Sequence, residues 1–269
     1  MKRGTGCGRK RPVANFLLST ATLFKREVVR FLRQRSRVAG VIGTPLLFWI
    51  LLGTGLGHAF AVGTLSYLHY FFPGIIVMTL LFTAIFSTIS IIEDRREGFL
   101  QGVLVAPVPR LSFVLGKLLG GAALATIQGA LFLLLAPVLN IPLSMSGVLA
   151  ALFVMYFISL GLTGLGFVIA WRLDSTQGFH AVMNLFLMPL WFLSGSVFPI
   201  AGTPAWLKFL MLINPLTYSV AALQNIFYPG RIKSAGLPDT AACIAITAVF
   251  SLLMIALSHL AAQKTEKSA

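Results

Sequence analysis

Charge is scarce in this chain. Asp, Glu, Lys and Arg make up 10% of its 269 residues, while 57% are hydrophobic and the mean hydropathy is +0.90. Soluble domains carry roughly a quarter charged residues, so a soluble enzyme is excluded, as is a disordered segment, which needs low hydrophobicity. Cysteine is nearly absent: Cys7 and Cys243 stand near opposite ends and form neither a metal-ligand spacing nor a disulfide framework. The acidic residues are only Glu27, Glu93, Asp94, Glu97, Asp174, Asp239 and Glu266, each in a tail, a loop or the end of an apolar run. A carrier driven by protons or ions keeps charge inside its bundle, and this distribution counts against one. A phosphate-binding loop is missing too, because Gly116-Lys117 has Leu at both 111 and 118 where the pattern needs Gly and Ser or Thr. No zinc-protease, nucleophile-elbow or paired-cysteine pattern occurs, and there is no Asn-x-Ser/Thr sequon. The four histidines (His58, His69, His180 and His259) fall near the ends of apolar runs, where interfacial anchoring is the ordinary explanation.

What is present is a series of long apolar runs. About 20 mostly apolar residues are needed to cross the hydrocarbon core as a helix, and six segments qualify: 38–60, 69–92, 111–139, 147–171, 178–198 and 240–260. The runs are continuous rather than alternating, which excludes a barrel, and bare backbone in lipid must be helical. The expectation is an all-α integral membrane protein with six transmembrane helices. Of its 21 Lys and Arg residues, only Lys208, Arg231 and Lys233 fall on one side of such a bundle. The rest therefore mark the cytoplasmic side, with both termini there. The +14 net charge is read as this membrane asymmetry, with no nucleic-acid partner.

Residues 1–37 form a basic tail followed by an interfacial segment, and 38–269 form one membrane domain. The first 24 residues resemble a signal peptide, but Lys25-Arg26 follows in place of a small-residue cleavage site. Phe16, Leu17, Thr20, Leu23, Phe24, Val28, Phe31 and Leu32 recur at helical spacing, with Arg26, Arg30, Arg33 and Arg37 directed elsewhere. That pattern predicts an amphipathic helix on the membrane surface, its cations at anionic headgroups. In the connection between the fifth and sixth runs, 206–212 and 216–227 are apolar but too short to span, and Pro199, Pro204, Pro215 and Pro229 punctuate them. Two short re-entrant helices are expected there. Gln128 and Asn184 are the polar groups inside the bundle, each more simply an interhelical hydrogen bond than a substrate ligand. The Gly116-x-x-x-Gly120 step allows close helix approach, by default within the monomer. Pro189 should kink the fifth run.

The loop after the second run is the most informative stretch. It reads Glu93-Asp-Arg-Arg-Glu-Gly-Phe-Leu-Gln-Gly-Val-Leu-Val-Ala-Pro-Val-Pro-Arg110 and leads to Gly116-Lys117. Phe99, Leu100, Val103 and Leu104 give a short helix one apolar face, Pro107 and Pro109 end it, and Arg110 and Lys117 are placed at the interface. Such a helix suits a partner's groove or a lipid surface, and the residues alone leave both open.

This stretch resembles the signature of ABC-2 type transporter permeases, matching at Glu97, Gly98, Leu100, Pro107, Val108, Arg110, Gly116 and Lys117. It departs at Phe99, Gln101 and Ala106. The outer segment is similar as well, in Phe198-Pro199, Pro204-x-Trp206-Leu207 and Asn214-Pro215-Leu216-Thr217-Tyr218. The resemblance implies a six-span permease, paired with a second copy and powered by a separate ABC ATP-binding subunit. ATP and Mg would then belong to that partner, with no cofactor on this chain and no catalytic residue or metal site. It makes the loop a coupling helix contacting the ATPase, with Glu93, Asp94, Arg96, Glu97, Gly98, Phe99, Leu100, Leu104, Pro107 and Arg110 as its residues. Gln128, Asn184, Asn214 and Tyr218 are the candidates for the substrate pathway. It further implies a bacterial inner-membrane exporter surrounded by lipid, its cargo drug-like or lipophilic. A polysaccharide or lipid-linked glycan exporter is the alternative within the family; a secondary carrier and a non-transporting scaffold are the alternatives outside it.

Overall fold

A computed structural model describes residues 12–55, 61–62, 65–106, 108–141, 143–231 and 236–264. Helix α1 (Pro12–Arg33) is followed by α2 (Arg35–Gly55) and by two paired two-residue strands, β1 (Ala61–Val62) and β2 (Leu65–Ser66). Then come α3 (Tyr67–Ser87), α4 (Ile89–Arg96), α5 (Phe99–Val105), α6 (Arg110–Leu133) and α7 (Met145–Arg172). The chain continues through α8 (Thr176–Phe192), α9 (Ala205–Ile213), α10 (Pro215–Phe227) and α11 (Thr240–Lys264). Apart from the strand pair, the described residues are helical or connecting.

Four helical units are long and apolar enough to cross a membrane: α3 with α4 as a 30-residue unit, α6, α7 and α11. They coincide with the expected runs at 69–92, 111–139, 147–171 and 240–260. The pair α9 and α10 also qualifies if taken as one broken span, bent by 86°. The run at 38–60 corresponds to α2, whose apolar stretch Ile42–Gly55 is shorter. The run at 178–198 corresponds to α8, which is only 17 residues long. α3 is the central helix, buried over 89% of its apolar window, whereas α11 is at the rim with 22%.

Local chemistry explains the helix starts. Ser144, Ser175 and Asn214 each accept a hydrogen bond from a backbone N–H in the first turn of α7, α8 and α10, satisfying donors that a helix leaves unpaired. Pro215 follows at the first position of α10, where its missing N–H costs nothing. The expected run at 178–198 is cut short because the chain leaves the helix after Phe192 and turns at Gly195, with φ +77°. Irregular backbone at membrane depth must be enclosed by protein, and here it is. Tyr70 donates to the Gly195 carbonyl at 2.6 Å, Tyr67 to Val197 at 3.0 Å, and the Trp191 indole to Gly74 at 2.8 Å.

Candidate functional site

At one end of the bundle, α1 packs lengthwise on α6. The contact is possible because α6 presents glycine. A Cβ at Gly116 would sit 2.6 Å from that of Leu23, and one at Gly120 would sit 2.9 Å from that of Glu27. The small-residue step therefore acts within the monomer. Its consequence is that Leu23, Glu27 and Phe31, one turn apart on α1, are all buried. α1 is amphipathic as the spacing predicts, but this face of it covers α6 rather than the bilayer.

Glu27 is a carboxylate on that buried face, and it is answered from α6 and α4. The Lys117 ammonium, 4% exposed, lies 2.5 Å from Glu27 and 2.5 Å from Asp94, and donates to Ser90 at 3.0 Å. Ser90 in turn donates to Glu27 at 2.6 Å. Asp94, fully buried, also accepts a forked pair from Arg26 (3.0 and 2.6 Å) and a bond from Arg30 at 2.6 Å. Arg30 reaches on to Glu93 at 3.0 Å and Glu97 at 3.2 Å. Burial by itself would lower the Arg26 guanidinium, but the hydrogen bond and charge of Asp94, with Glu27 and Glu97, hold it above its ordinary value. Three cations and four carboxylates thus tie α1, α4 and α6 together. A charge buried this deeply is tolerable only when paired and hydrogen-bonded.

Two expectations are corrected here. Arg26 and Arg30 turn inward to Asp94, not out to headgroups, because an uncompensated Asp94 would cost far more than two interfacial cations gain. Lys117 is likewise an internal ion and not an interfacial anchor. Glu27 was missed from sequence as a site residue, and Lys117 was singled out there but placed at the interface. The available signal was one lone charge on each of two apolar helical faces, of opposite sign.

The loop arginines have a different task. Arg95 donates to the carbonyls of Trp171 (2.6 Å) and Leu173 (3.3 Å), pairs with Asp174 at 2.8 Å, and lies over the Trp171 ring. Arg96 donates to the Asp174 carbonyl at 3.1 Å. Arg110 donates to the carbonyls of Ala262 and Gln263. The loop thus supplies caps and favourable charge to the C-terminal ends of α7 and α11, where carbonyls lack partners.

α4 gives way to α5 through Gly98, which takes φ +76°, a left-handed turn that glycine alone adopts without strain. Phe99 then lies beneath Arg26, whose guanidinium carbon is 3.7 Å from the ring centroid. Of the residues named in the loop, Arg96, Glu97 and Gly98 are exposed, Glu93 and Phe99 are half-buried, and Asp94 and Leu100 are inside the fold. Leu104 falls within α5, and Pro107 lies outside the described residues.

The pathway candidates stand on three helices: Gln128 on α6, Asn184 on α8, and Asn214 with Tyr218 at the start of α10. Gln128 is buried and accepts a hydrogen bond from Thr83. Asn214 caps α10 and donates to the Leu190 carbonyl at 2.6 Å, and Tyr218 donates to Leu212 at 2.8 Å. Asn184 alone is exposed, on the flank of α8.

The model of a family described as ABC-2 type transporter matches residues 19–228, from within α1 to just past the end of α10. The chain belongs to the ABC-2 type transporter family. It is accordingly a multi-pass membrane permease. The putative transport permease ycf38 of Cyanophora paradoxa is 29% identical over 79% of this chain and 75% of its own. The probable multidrug ABC transporter permease YbhR of Escherichia coli K12 is 28% identical over 61% of this chain and 45% of its own. The probable doxorubicin resistance ABC transporter permease protein DrrC of Mycobacterium tuberculosis is 24% identical over 81% and 80%. Membership of the family implies an ABC ATP-binding partner.

Proposed function

We propose that the chain is the transmembrane subunit of an ATP-driven exporter, with ATP and Mg held by a separate ATP-binding subunit docked at the α1–α5 end. The observation that carries this reading is the buried ion cluster. Moving one partner out of it would strand a charge, so α1, α4 and α6 travel together. A push on exposed Arg96 and Glu97 and on half-buried Phe99 is then passed through α4 into α3, the central helix. The bundle responds by shifting between inward- and outward-open populations.

On this reading α2 and α8 complete six spans, both termini and the cation-rich end are cytoplasmic, and the chain lies in a bacterial inner membrane. Exposed Asn184 on α8 is covered by a second permease copy across a shared pathway, since a bare amide facing lipid is unfavourable. The names of YbhR and DrrC favour a drug-like or lipophilic cargo.

The test is purification of the tagged chain from its native membrane in mild detergent. A stoichiometric ABC ATPase should accompany it and be lost, with coupled hydrolysis, in Glu97→Ala/Phe99→Ala. Normal hydrolysis and export by that double variant would remove the loop from the coupling path.

A further inference from the structure

Between α1 and α5 lies an apolar cavity of about 460 Å³, walled by Leu18, Thr22 and Leu23 on one side and Phe99, Val103 and Val108 on the other. Its size is that of a small-molecule site. Two hydroxyls line it: Thr22 donates to the Leu18 carbonyl at 2.7 Å and Ser19 is partnered too, so neither asks anything of an occupant. Leu18 in its wall is largely uncovered, as is Val105 at the end of α5. An apolar recess of this kind needs a covering partner, and the charges of α1 indicate which one.

α1 has a single carboxylate, Glu27, and that is buried among cations. Its exposed residues among those described are leucines (Leu17, Leu18 and Leu32), Ala21, Thr22, Val29 and the bases Lys25 and Arg33, with no carboxylate among them. Lys25 lies one turn beyond Thr22 on the face that carries Leu18, is exposed, and makes no ion pair among the described residues. Just before α1 the sequence places Lys2, Arg3, Arg9, Lys10 and Arg11. A helix with leucines on one side and unpaired cations beside them binds anionic lipid, through acyl burial and headgroup attraction together.

We propose that this cavity holds an acyl chain of an anionic phospholipid whose phosphate is met by Lys25. The lipid fills the space between α1 and α5, so that the phospholipid composition of the membrane sets how firmly the two helices bear on each other. The binding site rests on the α1–α5 geometry alone. Only the effect on coupling rests on the proposed function.

The experiment uses the purified full-length chain without any ATPase, so that it stands apart from the partner question. The detergent-solubilised protein is incubated with equimolar phosphatidylglycerol and phosphatidylcholine and washed, and the retained lipid is measured by mass spectrometry. Phosphatidylglycerol should be retained in preference. Gly102 lines the cavity and a Cβ there would meet nothing within 4 Å, so Gly102→Leu and the larger Gly102→Trp start a side chain at the cavity wall from an uncrowded Cβ. Each variant, with unchanged elution and melting, should retain phosphatidylglycerol roughly tenfold less, the equivalent of about two displaced methylenes. Lys25→Glu should abolish the preference and Lys25→Arg keep it. Equal retention of the two lipids overturns the proposal, as does unchanged retention in both Gly102 variants. In a parallel purification from native membrane, loss of a co-purifying ATPase from Gly102→Leu, with lipid retention by the isolated chain unaltered, assigns the cavity to the protein partner and overturns it equally.

Discussion

Lys117 on α6 and Glu27 on α1 meet at 2.5 Å beside Gly120, where the buried face of α1 is otherwise apolar, with Leu23 and Phe31 one turn to either side. The pair exists because the glycine lets the two backbones approach closely enough for a lysine stem to be covered completely. Once covered, the ammonium needs its second carboxylate, Asp94, and Asp94 in turn needs Arg26 and Arg30. One close approach thus accounts for the whole cluster.

Lys117→Met should be among the most damaging single changes, since it leaves two buried carboxylates facing each other. Loss of one partner from a buried pair costs about 3–5 kcal/mol. Thermal unfolding in detergent measures it, and Lys117→Met/Glu27→Gln should recover part of the loss. Additive losses would show that the two groups do not interact.

Gly116→Val introduces a branched side chain against Leu23 and the Thr20 carbonyl, which is 3.2 Å from the site of the new Cβ. The backbone oxygen cannot move aside as a side chain would, so α1 must shift. The cost should be about 1–3 kcal/mol from overpacking, with faster tryptic cleavage at Lys25 and Arg33 as the readout. Unchanged cleavage would mean that the helices separate without strain.

Arg95→Ala removes hydrogen bonds to two carbonyls at the end of α7 together with the contact to Trp171. A loss of about 1–2 kcal/mol is expected from a charge at a partly buried helix C-terminus. Hydrogen exchange should rise at residues 170–176 and stay unchanged in α9 and α10.

Glu97→Ala should behave oppositely. Its carboxylate is 59% exposed, and a pair of that kind contributes about 0–1 kcal/mol. Melting should therefore be nearly unaltered while coupled ATPase activity falls. A large drop in melting temperature would make Glu97 a structural residue.

Gln128→Leu and Asn184→Leu separate packing from pathway. Gln128 is buried against Thr83, and losing an interhelical bond of that type costs about 0.6 kcal/mol on average. That change should lower stability slightly and leave cargo selection intact. Asn184→Leu, on an exposed helix flank, should leave stability intact and alter which compounds are exported. Transport assays with a panel of lipophilic substrates decide between them.

Much was legible from the chain alone. Apolar runs of sufficient length have one backbone solution in lipid, so the helical class and the four longest spanning units followed from hydropathy. Pro204, Pro215 and the short apolar runs around them placed α9 and α10, because a proline-punctuated run cannot continue straight. The loop motif pointed to the end of the bundle where α5 lies. Tertiary structure decided what each charged residue does there. Arg26, Arg30, Arg95, Arg96, Arg110 and Lys117 are all cations near apolar run ends, and hydropathy cannot rank them. Only the approach of α1 to α6 and the return of α7 and α11 to the same end divide them into buried counter-ions and helix caps. Pairing over distances such as 26 to 94 or 110 to 262 is a property of packing, where desolvation forces every buried charge to find a partner and leaves Glu97 on the outside.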